Sequence, residues 1–472
     1  MAIRKLTNTG ERASWRKMQK RFLLAIAVSF LLLQVLFLGN MCYLYATQFH
    51  DSDRSHSLRL LYVDYDGGVI GQSVLDTYQE MRGPSFPTLE QFPSENYPLP
   101  TDVKKEVCNG KFWGAIYSNA GASANLTSIL ANGTSNDQPA LTYIWNGARY
   151  PAFSQSIIYS SIVSLVQGSR DAYYAHNASN DLQFATLSNQ ASLQAFLNPI
   201  TASEINIKPT NQGPRVLYNT VSLVMPIIQQ FFFMMALNGI SMEFQVLRKF
   251  GWIPNGVLRM CISIVYTFTG SLAMVGYIWI FKESWDVNAN QFVLCWMIIW
   301  LFMHINFLVV DILTTFIPMQ FLPFCVLTWV IVNVASTISP FELSPGFFRW
   351  GYALPAHETY QVLVQIWSDG CNGQLYRALP ILFGEWVLGV IIVIFSVQYR
   401  CKTATSAEQA DLPDKDTGKH NHISPPIDGH VSPQSTENVM CSGQNPAESV
   451  RLERAAYGPS YPTPLVHHDG RN

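Results

Sequence analysis

The stretch Phe22-Leu-Leu-Ala-Ile-Ala-Val-Ser-Phe-Leu-Leu-Leu-Gln-Val-Leu-Phe-Leu-Gly-Asn-Met-Cys-Tyr-Leu-Tyr-Ala46 decides the fold. It carries no charge, and it exceeds the ~20 residues a helix needs to cross the hydrocarbon layer. A long, mostly polar segment follows, and then five more apolar runs of membrane length crowd into residues 216–398. No soluble class produces six such runs. The chain therefore reads as a multi-pass α-helical membrane protein with six transmembrane helices, at 22–46, 216–240, 260–281, 291–316, 317–339 and 378–398. The fourth and fifth are divided at Pro318, because one helix of their joint length would overshoot the bilayer about twofold.

Composition agrees. Hydrophobic residues make up 49% of the chain and charged residues 13%, with a formal net charge of −2, so no nucleic-acid partner is implied. Basic residues set the orientation. Residues 1–21 hold Arg4, Lys5, Arg12, Arg16, Lys17, Lys20 and Arg21 against Glu11, which makes this segment cytoplasmic. Six crossings return Arg248, Lys249, Arg259, Arg400 and Lys402 to the same side, so both termini are expected in the cytoplasm. The first run is too long for the core of a cleaved signal and reads as a signal-anchor. The plasma membrane is the expected destination.

Residues 47–215, inserted between helices 1 and 2, read as an extracytoplasmic α+β domain. Short apolar runs predict strands at 58–63, 112–117 and 140–145, and longer spacing predicts helices at 153–167 and 182–197, closed by Gly168 and Pro199. The Asn-x-Ser/Thr sequons begin at Asn125, Asn132 and Asn177, all in this domain, and are candidate N-glycosylation sites. Cys108 and Cys371 both fall on the oxidising side and are a candidate disulfide, with two free thiols as the other reading and Cys42 as a spare partner. The chain has no phosphate-cradling glycine loop, no metal-ligand spacing and no nucleophile elbow. No catalytic residue, metal or cofactor is expected, and an enzyme is not.

Residues 216–398 form the five-helix membrane domain. Within it, 340–370 is unusual: a proline-punctuated aromatic string holding Arg349, Trp350, Tyr352 and Pro355 leads into Tyr360, Leu363, Val364 and Trp367 at helical spacing. This predicts an amphipathic helix, either lying in the outer interface or re-entering the membrane, with a folded aromatic loop as the other reading. Residues 399–472 are rich in Pro, Ser, Asp and His and read as a disordered cytoplasmic tail, with Ser424, Ser432 and Thr463 before prolines. Charged groups inside membranes usually serve function, so His304, Asp311 and Glu385 are a candidate intramembrane charged path. The competing reading makes them helix-packing groups.

Several strings carry a resemblance: Leu61-Tyr-Val-Asp64-Tyr-Asp66-Gly-Gly68, Trp113-Gly-Ala-Ile-Tyr117 with Asn125-Leu126 following, Tyr143-Ile-Trp-Asn146-Gly-Ala-Arg149, and Phe348-Arg-Trp-Gly-Tyr-Ala-Leu-Pro355. In this order, between one span and five, they resemble the fungal nitrosoguanidine-resistance membrane protein family. That family is itself similar to phage-infection-protein-like proteins and to type-2 membrane domains of ABC exporters. The resemblance implies a permease-like protein exporting toxic amphipathic small molecules or conferring tolerance of them. The rival is a non-transporting regulator or scaffold of membrane lipids or of an ectodomain partner. The chain lacks a Walker A loop. A pump of this kind needs a separate ATPase, with the 241–257 loop as the first docking surface to consider, or an ion gradient. A homodimer would suit the exporter resemblance.

Overall fold

The computed structural model describes residues 9–133, 138–184, 189–318 and 320–411. Two compact units emerge from them. The first takes in the described residues up to Met225 together with Leu272–Phe302 and Leu327–Leu382; the second comprises Pro226–Ser271, Met303–Val326 and the described residues from Phe383.

Helix α1 (Thr9–Ala46) carries the first apolar run. The α+β domain that follows begins with β1 (Arg59–Asp64), α2 (Val69–Met81), β2 (Thr88–Phe92), α3 (Pro100–Cys108), β3 (Gly114–Ser118), α4 (Ala122–Asn132) and β4 (Leu141–Trp145). A helical turn at Pro151–Phe153 and a π-helical turn at Ser154–Tyr159 lead into α5 (Ser160–Phe184), then α6 (Gln190–Leu197) and β5 (Ala202–Asn206). The five strands pair in the order β2-β1-β3-β4-β5, and only the β3–β4 pairing is antiparallel. Central strands β3 and β4 are buried at every position, as expected of strands covered on both faces. On one face Leu61, Val63, Ala115, Tyr117 and Ile144 pack with Val103 and Val107 of α3. On the other, Gly114 is hemmed by Ile158 and Ile162, and the Tyr62 hydroxyl donates to the Gly71 carbonyl of α2 at 3.1 Å.

Two expectations for this domain need correction. Gly168 does not close a helix; α5 runs through it to Phe184. Its missing side chain serves packing instead, since a Cβ there would stand 2.5 Å from Thr77 Cγ2 on α2. The expected helix at 182–197 begins only at Gln190, where Asn189 Oδ1 accepts the Ala191 N–H as an N-cap.

The longer helices that follow are α7 (Val221–Glu243), α8 (Trp252–Ile280), α9 (Ala289–Phe316), α10 (Leu322–Ala335), α11 (Pro355–Trp367) and α12 (Leu375–Asp411). Among the described residues, five segments are long and apolar enough to cross a membrane: Lys17–Ala46, Val221–Glu243, Trp252–Ile280, Ala289–Phe316 and Leu375–Thr403. This is a multi-pass helical membrane protein. The expected fifth span is represented by α10, which has 14 residues. At 1.5 Å per residue it covers about 21 Å, short of the ~30 Å hydrocarbon layer. Within the first unit, Asn40 of α1 donates to Thr328 Oγ1 of α10 at 3.2 Å, and Tyr43 meets Phe348 edge-on.

Helix α12 continues to Asp411, so residues 399–411 are helical where irregular chain was expected. The segment from Tyr399 to Asp411 contains neither proline nor glycine, and nothing in it stops the helix begun in the span. The rest of the expected tail, with Ser424, Ser432 and Thr463, lies outside the described residues, as does the structure of residues 1–8.

Candidate functional sites

In the second unit, Asp311 of α9 lies between two guanidiniums. Its Oδ1 accepts from Arg259 Nη2 of α8 at 2.6 Å and stands 3.4 Å from Arg400 Nη1 of α12. Arg259 Nη2 also donates to Asn238 Oδ1 of α7 at 2.7 Å, and Arg400 Nη2 donates to Thr314 Oγ1 at 2.6 Å and to the Asp311 carbonyl at 2.9 Å. Asp311 is 1% exposed and Arg400 2%, so these charges are held away from water.

Two helical turns along α9, His304 joins the same three helices. The indole N–H of Trp386 on α12 donates to His304 Nδ1 at 2.7 Å. An indole nitrogen only donates, so Nδ1 is unprotonated and the neutral ring carries its hydrogen on Nε2, 3.1 Å from Ser263 Oγ of α8. Both ring nitrogens are thereby engaged. Glu385 is half-buried on α12, next in sequence to Trp386. His304 and Asp311, both turned toward α8 and α12, share a helix face, but each belongs to its own set of partners. Sequence reasoning missed Arg259 and Arg400 as partners, having counted them only as orientation signals.

In the first unit a disulfide joins Cys108, at the end of α3, to Cys371, just after α11, with a Cα–Cα distance of 4.3 Å. Cys42 and Cys261 are exposed free thiols and Cys295 is a buried one. Beside the bridge, α11 departs from the amphipathic expectation. The stripe of Tyr360, Leu363, Val364 and Trp367 is buried, but so are His357, Glu358, Thr359 and Gln361 on the other faces. Protein partners meet part of this polar surface, while Thr359 Oγ1 and His357 Nε2 are buried without one. Asn333 Oδ1 accepts the Ala356 N–H at 3.2 Å, His357 Nδ1 lies 2.8 Å from the Ser336 carbonyl, and Arg377 Nε donates to Glu358 Oε1 at 3.1 Å. The Tyr360 hydroxyl accepts the Tyr150 N–H at 3.0 Å, and Asn372 Nδ2 donates to the Gln361 carbonyl at 2.8 Å. Of the aromatic string, Arg349 and Trp350 are exposed, Tyr352 is half-buried and Pro355 is buried as the first residue of α11.

Trp113, Arg149 and Tyr150 of the α+β domain meet Phe341, Glu342, Tyr352, His357, Gln361, Gln374 and Arg377 around a polar cavity of about 50 Å³. The Arg149 guanidinium lies 3.7 Å over the Trp113 ring and that of Arg377 4.5 Å over Tyr352. Burial pushes the Glu358 carboxyl up to about 7 against the pull of Arg377. It pushes the His357 imidazole down to about 3, so this ring is neutral. Burial also lowers the Arg149 pKa, with Glu342 opposing.

The three sequon asparagines sit differently. Asn132 is exposed at the last residue of α4, Asn125 lines a groove of about 890 Å³ between α4 and α6, and Asn177 Nδ2 donates to the Tyr173 carbonyl of α5 at 3.2 Å. The loop after α7 contains a short helix, Val246–Lys249, and presents Glu243 and Lys249 to the exterior.

A family described as a protein of unknown function, DUF3533, matches residues 29–391, and the chain belongs to that family. It is also similar to an uncharacterized endoplasmic reticulum membrane protein of Saccharomyces cerevisiae, YJR015W. The two are 24% identical over 315 residues, which cover 62% of this chain and 60% of the relative's length.

Proposed function

We propose that this chain is a permease-like, non-enzymatic membrane protein that exports amphipathic toxic small molecules or confers tolerance of them. The ionic trio of Asp311, Arg259 and Arg400 carries the proposal. Ions taken out of water cost several kcal/mol each, and apolar side chains would join three helices as well, so charges kept there point to a role beyond packing. In this reading the trio is a latch between α8, α9 and α12 that opens as the helices shift. Six crossings complete the topology, with α10 and its flanking turns as the fifth, both termini cytoplasmic and the ectodomain on the lumenal or outer side. A separate ATPase or an ion gradient supplies energy, and two copies form the working unit, by analogy with the exporters the sequence resembles.

The deciding experiment measures accumulation of labelled cationic drugs and fluorescent lipids in cells lacking the protein and in cells carrying wild type, His304→Ala, Glu385→Gln or the triple variant Asp311→Leu/Arg259→Met/Arg400→Met. The wild type should lower accumulation, and the triple variant should fail to do so while reaching the membrane in normal amount. The two engaged nitrogens of His304 favour the second reading, a non-transporting scaffold, for which deletion alters none of the probes. The plasma membrane is the proposed destination, and the endoplasmic reticulum named for the yeast relative is its rival. Resistance of glycans on Asn125, Asn132 and Asn177 to endoglycosidase H supports passage beyond the endoplasmic reticulum, and sensitivity of all three supports residence there.

A further inference from the structure

The polar cavity beside α11 has walls of a particular chemistry. Arg149 sends Nη1 to the Gly110 carbonyl at 3.3 Å, while its Nη2 stands 3.9 Å from Glu342, beyond direct hydrogen bonding, and its buried Nε meets no protein acceptor. Arg377 spends its Nε on Glu358. Two guanidiniums, each stacked on an aromatic ring, therefore flank one small space, the arrangement in which arginine recognises tetrahedral oxyanions.

His357 narrows the choice of anion. The Ser336 carbonyl only accepts, so the hydrogen of the neutral ring sits on Nδ1 and Nε2 is a lone-pair acceptor. His357 is 2% exposed, and its Nε2 has no hydrogen-bond partner in the protein. A ligand that satisfies it must bring a donor. Carboxylates, sulfate and phosphodiesters bring none near neutral pH, whereas a phosphate monoester retains a P–OH proton at about half occupancy near its second pKa of ~6. The space holds roughly four waters, about what one phosphate group displaces.

We propose that this cavity binds a phosphate monoester or free hydrogen phosphate, its oxygens on Arg149 and Arg377 and its P–OH donated to His357 Nε2. Glu342 offsets part of the positive charge. The site stands independently of the transport reading.

The test uses the full chain in phosphatidylcholine nanodiscs, with the melting temperature followed against inorganic phosphate and against sulfate at pH 6.5 and matched ionic strength. Phosphate should raise the melting temperature saturably, with sulfate at least tenfold weaker. Arg149→Lys should abolish the response, His357→Leu should bring the phosphate-to-sulfate ratio close to one, and the exposed Arg349→Gln should change neither. Should His357→Leu fail to fold, the wild-type ratio and Arg149→Lys still decide. A second arm replaces part of the phosphatidylcholine by phosphatidic acid, a monoester, or by phosphatidylglycerol, a diester. Stabilisation by phosphatidic acid but not phosphatidylglycerol, without a response to free phosphate, identifies a lipid headgroup; a response to free phosphate identifies a soluble ligand. Equal effects of phosphate and sulfate, or no effect of phosphate and phosphatidic acid on a cooperatively melting protein, overturn the proposal.

Discussion

At Asp311 one carboxylate holds two guanidiniums, and removing it leaves a buried excess of positive charge that no water screens. Asp311→Asn should therefore destabilise the protein by about 3–5 kcal/mol. The triple replacement by apolar residues should recover most of that loss, which thermal melts of detergent-purified variants will read. His357 and Glu358, adjacent on α11, carry opposite pH signatures. The glutamate, at about 7 when folded against 4.5 ordinarily, adds stability that is complete below 4.5 and is lost as pH rises to 7. The histidine, at about 3 against 6.5, adds stability that is complete above 6.5 and is lost as pH falls toward 3. Between pH 4.5 and 6.5 the two slopes oppose each other in the wild type. His357→Gln should make the melting temperature fall with rising pH across that window relative to wild type, and Glu358→Gln should make it rise.

Among the elements, legibility followed burial and continuity. Spanning helices announce themselves because lipid demands long uncharged runs, and β1, β3 and β4 because strands covered on both faces are apolar throughout. The edge strands escaped notice: Thr88–Phe92 and Ala202–Asn206 lie at the margins of the sheet, are mostly half-buried, and have too few alternating apolar residues to be read. Gly168 misled because a glycine that admits a neighbouring helix and one that ends its own look alike in sequence. The α2–α5 contact makes a clean test. Gly168→Leu should force Thr77 and Met81 aside at a cost of about 1–3 kcal/mol, seen as faster proteolysis of the α+β domain, whereas Gly71→Leu, aimed at the Asp64 carboxylate, should be worse. The polar cavity was not legible at all, because its residues come from stretches running from Trp113 to Arg377 and only the fold gathers them.

For the molecule as a whole, the Cys108–Cys371 bridge closes a separation of 263 residues. Cys108→Ser should lower the stability of the α+β domain by about 2–5 kcal/mol, and the double serine variant should match the single one, since one bond is lost in either case. A melt with and without reductant measures this, the wild type under reductant falling to the mutant value. The same separation has a consequence for biosynthesis on the proposed topology. At roughly 5–20 residues per second, Cys108 emerges tens of seconds ahead of Cys371. The thiol must wait in an oxidising lumen while the intervening helices enter the membrane, and the free, exposed Cys42 precedes it on the same chain. Correct pairing is therefore a late checkpoint of synthesis, and Cys42→Ser should raise the yield of protein in cells with limited disulfide isomerase.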